Sequence, residues 1–298
     1  MNRSGIDAVQ HEVHRAFLHT LLVAYDFSEP AEVALEYAIE LSRHFGSLVA
    51  VVYVQSAREF AAEMESGFRM GERRREIESE MHSLEQRLRE QNVQHQVFHR
   101  SGVIADVLIR EAAELHADLV ILGAYGSRRL DPPRLGSTAE AMIKTMSCGV
   151  MVIGPEMMMR GSREIVPMRH VLYVVQASQK LHLARFAKLL AQKTAVQIEI
   201  ACASSERGTQ ADAHRHAQLE SHCSDLAEQM RTPELSVSWK LLHGPCDRAI
   251  SDRAREIHAN LILFDHESTC EGSFRKEEVV SNAIQQAPCP VLIMPQHL

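Results

Sequence analysis

Apolar residues in this chain fall into short, bounded runs of two kinds. His19–Tyr25 (HTLLVAY), Leu48–Val54 (LVAVVYV), Leu119–Leu122 and Val150–Ile153 are nearly continuous, which predicts strands buried on both faces. Between them the apolar positions recur at helical spacing. Ala34, Ala38, Leu41 and Phe45 form one such face, with Ser28 placed as N-cap, Pro30 in the first turn and Gly46 as the stop. Glu59–Glu90 carries Met64, Phe68, Ile77, Met81, Leu84 and Leu88 on a charged background and reads as a helix broken near Gly67 or Gly71. Val93–His99 predicts a third strand and Val103–Leu115 a further helix, while residues 1–18 read as a short extension or helix. Strand and helix therefore alternate, which predicts an α/β fold with a parallel sheet covered by helices on both faces.

The pattern then repeats. His19–Val23 resembles His170–Val174, and Gly102–Asp106 corresponds to Gly244–Arg248. Ala117-Asp118-Leu119 corresponds to Ala259-Asn260-Leu261, and Ser147–Ile153 to Pro288–Met294. The near-constant offset predicts a duplicated domain, with boundaries at 1–156 and 157–298. The joining stretch, Gly154–Pro167, has glycine and proline at its ends and three methionines, so a packed linker is expected.

Composition adds limits. Hydrophobic content of 45% and charged content of 24% suit a water-soluble globular chain of two ordinary domains. A net charge of −7 gives no basic surface for nucleic acid, and no run approaches the roughly 20 apolar residues that span a bilayer. The six cysteines show no CxxC pair, and the N-terminus has no secretory apolar core. Buried free thiols in a cytoplasmic protein are the expectation, with Cys148 and Cys289 at equivalent positions before the last strands.

One stretch carries candidate chemistry. Leu119–Pro155 runs strand, glycine loop, helix, strand, with Gly123-x2-Gly126-x9-Gly136-Ser137 inside it. Such a loop can place backbone N–H groups around an anion at a helix N-terminus. Glycine is expected there for close approach of the backbone to phosphates, or for positive φ. Arg128, Arg129 and Arg134 add positive charge to the same loop. Ser137-Thr138-Ala139-Glu140 also fits a capping box, the bland reading of the serine, and Asp26 also fits a helix-capping aspartate.

Together, Asp26-Phe27-Ser28, Gly102, Ala117-Asp118-Leu119, the glycine loop and Cys289-Pro290-Val291 resemble the universal stress protein family in its tandem two-domain form. The resemblance implies five parallel strands per half in the order 3-2-1-4-5, a Rossmann-like arrangement. Ligands of such sheets bind where that order reverses, between strands one and four, where Asp26 and Gly123 fall. From the ATP-binding branch, the resemblance implies adenine held by Asp26 and Val54. It implies ribose and phosphates held by Gly123, Gly126, Gly136, Ser137 and Thr138, with ATP accompanied by Mg²⁺. Pro132-Pro133 and Gly149, where the family usually has proline, depart from the pattern. The resemblance also implies that Val150–Ile153 and Val291–Met294 pair the halves as a pseudo-dimer, leaving association into a homodimer open.

In the second half, Ala177 replaces Asp26, Asp265 and Ser268 replace Gly123 and Gly126, and Glu277 and Glu278 replace Gly136 and Ser137. Two carboxylates suit a helix N-terminus but repel a phosphate, so at most one nucleotide per chain is expected. The histidine-bearing segments, His214, His216, His222 with Cys223, and Asp265, His266, Glu267 with Cys270, lack zinc-site spacing and read as ordinary surface groups. No catalytic constellation is present: there is no GxSxG, no GxxxxGK[ST] and no HExxH. The reading is an ATP-binding stress-response regulator that switches the interactions of a partner protein. A weak ATPase with at most slow hydrolysis, or an interaction scaffold with a vestigial pocket, stands as the alternative.

Overall fold

The computed structural model describes residues 18–56, 61, 70–126, 135–159, 169–175, 196–204, 210–233, 235–265 and 276–295. Met64, Phe68, Arg128, Arg129, Pro132, Pro133, Arg134, Ala177, His266, Glu267, Ser268 and Cys270 lie outside the described residues, as does 1–17. The first half runs β1 (Thr20–Tyr25), α1 (Glu29–Phe45), β2 (Leu48–Ser56), α2 (Met70–Glu90), β3 (His95–Gly102) and α3 (Ile104–Glu114). It continues with β4 (Leu119–Gly123), α4 (Ser137–Thr145) and β5 (Gly149–Ile153), and a short α5 (Glu156–Met159) follows. The described elements of the second half are β6 (His170–Val174), β7 (Gln197–Ser204), α6 (Gln210–Met230), β8 (Ser236–His243), α7 (Cys246–Glu256), β9 (Leu261–Asp265), α8 (Lys276–Gln286) and β10 (Val291–Met294).

The ten strands of the described residues form one sheet in the order β3-β2-β1-β4-β5-β10-β9-β6-β7-β8. Each half has the expected 3-2-1-4-5 order, and all pairings within a half are parallel. The halves join where β5 and β10 pair antiparallel, Val152 opposite Val291 and Val150 opposite Ile293. The two last strands thereby cover each other's unpaired edges, and the tandem domains form an intramolecular pseudo-dimer.

Alternating side chains sort the core into two layers. Leu21, Val23, Val51 and Ile121 face the layer packed by α1 and α2, while Leu22, Val52, Val120 and Leu122 face the layer that includes Leu108 of α3 and Met142 of α4. The helix faces match the sequence periodicity: Ala34, Ala38, Leu41, Phe45, Ile77, Met81, Leu84 and Leu88 are all buried. Ser28 caps α1 by accepting from the Ala31 N–H, and Gly46 ends it with φ 71°.

Asp118 explains its own motif. Its carboxylate accepts from the backbone N–H groups of His19 (2.6 Å) and Thr20 (2.9 Å), tying the start of β1 to β4. Asn260 does the same in the second half, accepting from Arg169 and His170.

At the seam, close approach favours glycine. A Cβ on Gly149 would lie 2.9 Å from Met294 Sδ and 3.1 Å from Leu119 Cδ1, so those side chains would have to shift to admit one. A Cβ on Gly154 would collide with the backbone oxygen of Ile284. Beyond Gly154, Met157 and Met158 pack against the core, and Glu156 pairs with Arg255 of the second half at 2.5 Å. That part of the joining stretch is packed.

Cys148, Cys202, Cys223 and Cys289 are buried and in no disulfide. The expectation of free thiols fails at Cys246, which is disulfide-bonded. Cysteine spacing along a chain carries no information about pairing across a fold.

Candidate functional site

The carboxyl ends of β1, β2 and β4 bring together the residues singled out in the first half. Leu21, Leu22 and Val23 of β1 pair with Leu119, Val120 and Ile121 of β4, which sets both strand ends at the point where the strand order reverses. Asp26 follows β1 directly and is exposed, whereas Val54, on β2, is buried. The last β1–β2 register pair is Tyr25 with Tyr53, so Asp26 and Val54 are the next residues on adjacent strands.

Asp26 Oδ1 accepts from the Ser28 backbone N–H at 3.1 Å and from the Ser28 hydroxyl. Its other oxygen faces the glycine loop: a Cβ built on Gly126 would lie 2.5 Å from Asp26 Oδ2. Asp26 therefore takes part in the turn into α1, as the bland reading expects, while Ser28 and not Asp26 is the N-cap. Its second oxygen lies against the loop.

The three loop glycines have different reasons, none of them a positive φ; among the described glycines only Gly46, Gly102 and Gly244 have one. At Gly123 a Cβ would lie 2.5 Å from Pro30 Cβ, so the glycine lets α1 approach β4. At Gly126 the close neighbour is the Asp26 carboxylate. At Gly136 a Cβ would lie 3.3 Å from the Ala124 oxygen, which also accepts the Gly136 N–H at 2.7 Å. Ala124 in turn donates its N–H to Ile153 O, so both ends of the loop are fixed to the end of the sheet.

Gly136 is the N-cap of α4 and, having no side chain, makes no side-chain capping bond; no described side chain caps the helix either. The capping-box reading of Ser137 is thus replaced: Ser137 is the first helical residue and is exposed, and Thr138 beside it is half-buried. Among the described residues no side chain takes up the N–H groups of the first turn of α4 or the Ser137 hydroxyl, which leaves them able to meet an anion.

Phe27 was not a sequence candidate. It sits at φ 60°, a left-handed conformation that is costly for a bulky residue. Its ring packs edge-on against Tyr25 (5.0 Å between centroids) and tilted against Tyr53 (5.2 Å), and Tyr53 packs against His99 at 5.3 Å. This aromatic row holds the turn that carries Asp26. The register pairing of Tyr25 with Tyr53 is its only sequence trace, and register is not readable before the fold is known.

In the second half, the first turn of α8 contains Glu277 and the exposed Glu278, in line with Gly136 and Ser137 of α4. Of the described histidines in this segment, His214 lies at the surface and His216 and His222 are half-buried. His216 stacks on His243, centroids 5.1 Å apart and planes 7° apart, with ring nitrogens 3.3 Å apart. His222 has a buried Nε2 without a hydrogen-bond partner among the described residues, whereas His214 is exposed and contacts Gln218.

A universal stress protein of Methanocaldococcus jannaschii is 25% identical over 136 residues, covering 45% of this chain and 80% of that protein. Among solved structures, a universal stress protein of Archaeoglobus fulgidus superposes with a TM-score of 0.68 at 18% identity, covering 94% of this chain and 97% of that one. A protein of unknown function from Pseudomonas aeruginosa gives 0.62 at 14% identity, covering 96% and 94%. These two show the same fold over both halves. The model of the universal stress protein family matches residues 18–154 and again 167–295. The chain is a member of the universal stress protein family, with two of its domains in tandem.

Proposed function

We propose that the first half binds ATP with Mg²⁺ at the carboxyl ends of β1 and β4, and that bound nucleotide changes the chain's affinity for a partner protein in a stress response. In this reading Asp26 and Val54 meet the adenine end. Gly123, Gly126 and Gly136 keep the loop backbone close, and Ser137 and Thr138 with the first turn of α4 meet the phosphates. The observation that carries the proposal is the approach of Gly126 to Asp26. Two separate segments of the chain meet at the switch point, in a space that a single methyl group would fill. The uncapped start of α4 supplies the complementary partner for negative charge. Among the described residues no helix is long and apolar enough to cross a membrane, in keeping with a partner met in solution.

The test is mass spectrometry of small molecules released on denaturing freshly purified protein. The proposal expects one equivalent of ATP, absent from Gly136→Asp. Finding ADP or AMP would move the reading toward slow hydrolysis. Finding none, with none taken up from millimolar Mg-ATP, would overturn it in favour of an interaction scaffold.

A further inference from the structure

Phe27, the residue after Asp26, holds a backbone conformation that its own helix does not explain. Among the described residues, the non-glycine positions with positive φ are Phe27, Asn92, His116 and His258. Asn92, His116 and His258 lie just beyond the ends of α2, α3 and α7, where a left-handed residue ordinarily closes a helix. Phe27 instead precedes α1, at φ 60°. A hydrophobic staple would account for an aromatic residue before the N-cap Ser28, but it needs an apolar fourth helical residue, and that residue is Glu32.

The ring finds its contacts on the strands. It packs edge-on against Tyr25 and tilted against Tyr53, and Tyr53 meets His99 of β3. Tyr25 is itself fixed, its hydroxyl donating to Glu32, which pairs with Arg87 of α2 at 2.8 Å. The second half keeps the strands and drops the row. The Val175 N–H donates to Ala201 O, and the β6–β7 and β7–β8 registers then put Val175, Cys202 and Leu241 at the places of Tyr25, Tyr53 and His99. The row thus accompanies Asp26, Gly136 and Ser137, and is missing from the half where Glu277 and Glu278 replace the last two.

We propose that Phe27 is a positioning residue for the nucleotide, acting through Asp26, an inference that rests on the ATP reading of the site. Its left-handed turn brings the Ser28 N–H and hydroxyl back to Asp26 Oδ1. That leaves Oδ2 directed at the loop, where a Cβ on Gly126 would come within 2.5 Å. A bulky residue keeps a costly left-handed conformation only where its surroundings hold it, and the aromatic row supplies that hold. The ring packs on the core layer of α1 and α2, whereas Val54 belongs to the opposite layer, so Phe27 sets the direction of the carboxylate without touching the ligand.

Calorimetric titration of the full chain with Mg-ATP, well below each variant's unfolding midpoint, tests this by a double-variant cycle. Phe27→Ala and Asp26→Ala should each weaken binding about tenfold, and the two together also only about tenfold, because one acts through the other. Phe27→Tyr keeps the ring and should bind within about twofold of the wild type. Phe27→Gly adopts φ 60° without steric cost and lacks the ring, so it takes the place of Phe27→Ala, with the same expectation, should that variant not fold. A Phe27→Ala affinity equal to that of the wild type, or a loss of about a hundredfold in the double variant, would overturn the proposal and leave the ATP site standing. A wild-type chain that takes up no Mg-ATP would overturn both.

Discussion

The two halves of this molecule share one fold and differ where strands end. Inside the fold, differences come in compensated pairs. Asp118 and Asn260 hold the starts of β1 and β6 by the same two backbone hydrogen bonds. Glu111 of α3 and Arg253 of α7 occupy equivalent helix positions with opposite charge. Each has its own strand partner: Arg100 of β3 at 2.6 Å, and Glu199 of β7 at 2.6 Å. At the strand ends nothing compensates. Glu277 and Glu278 stand where Gly136 and Ser137 stand, and they would stabilise a helix start while repelling phosphate. A fold tolerates any pair that satisfies itself, whereas a ligand site depends on single residues and their absent side chains.

The comparison can be broken at several points. Arg253→Ala should have the largest effect. Arg253 and Glu199 are only 14% and 12% exposed, so the variant leaves a buried carboxylate unpaired, at a cost of about 3–5 kcal/mol in urea unfolding. The matching Glu111→Ala leaves Arg100, 36% exposed, able to turn toward water, and should cost about 1–2 kcal/mol. Equal losses in the two variants would refute the inequality drawn from burial.

Gly136→Asp should weaken ATP at least about a hundredfold, near 2.7 kcal/mol, by calorimetry. The helix start accepts a carboxylate, so any fall in the thermal midpoint should reflect only the tight approach of the new Cβ to the Ala124 oxygen and be small beside the loss of affinity. Gly126→Ala should cost less, about tenfold in affinity, because the Asp26 carboxylate must turn away from a new Cβ 2.5 Å from Oδ2. Unchanged affinity would show that the carboxylate takes no part in binding.

A further effect is confined to alkaline pH. Burial raises the Tyr25 and Tyr37 phenols well above their ordinary value of 10.0, and both belong to the first half. Below pH 10 both states are neutral. Above it the unfolded chain loses protons that the folded chain keeps, so stability falls as pH rises, by up to about 1.4 kcal/mol per unit per phenol. Tyr25→Phe with Tyr37→Phe should flatten the limb; an unchanged pH–stability curve would assign it to other groups.

Much of this was legible in the sequence. Continuous apolar runs located β1, β2, β4 and β5, because strands buried on both faces leave an unbroken signal. Ser28 and Gly46 marked the ends of α1 through local cap chemistry. The third strand was read at Val93–His99 but runs His95–Gly102. It is an edge strand of half-buried and exposed positions with none fully buried, so its pattern is weak. The requirement for glycine at Gly154, and the packing of Gly123 against Pro30, depend on contacts between distant segments and leave no local trace. Placing Asp26 beside Gly126 needed the strand order, which the resemblance supplied and periodicity alone did not.

Titration of the full chain with Mg-ATP by isothermal calorimetry tests the central claim most directly. One site per chain is expected, abolished by Gly136→Asp and unchanged when Glu277 and Glu278 are replaced by glutamine. Two sites, or one site that survives Gly136→Asp and disappears on substitution in the second half, would contradict the account.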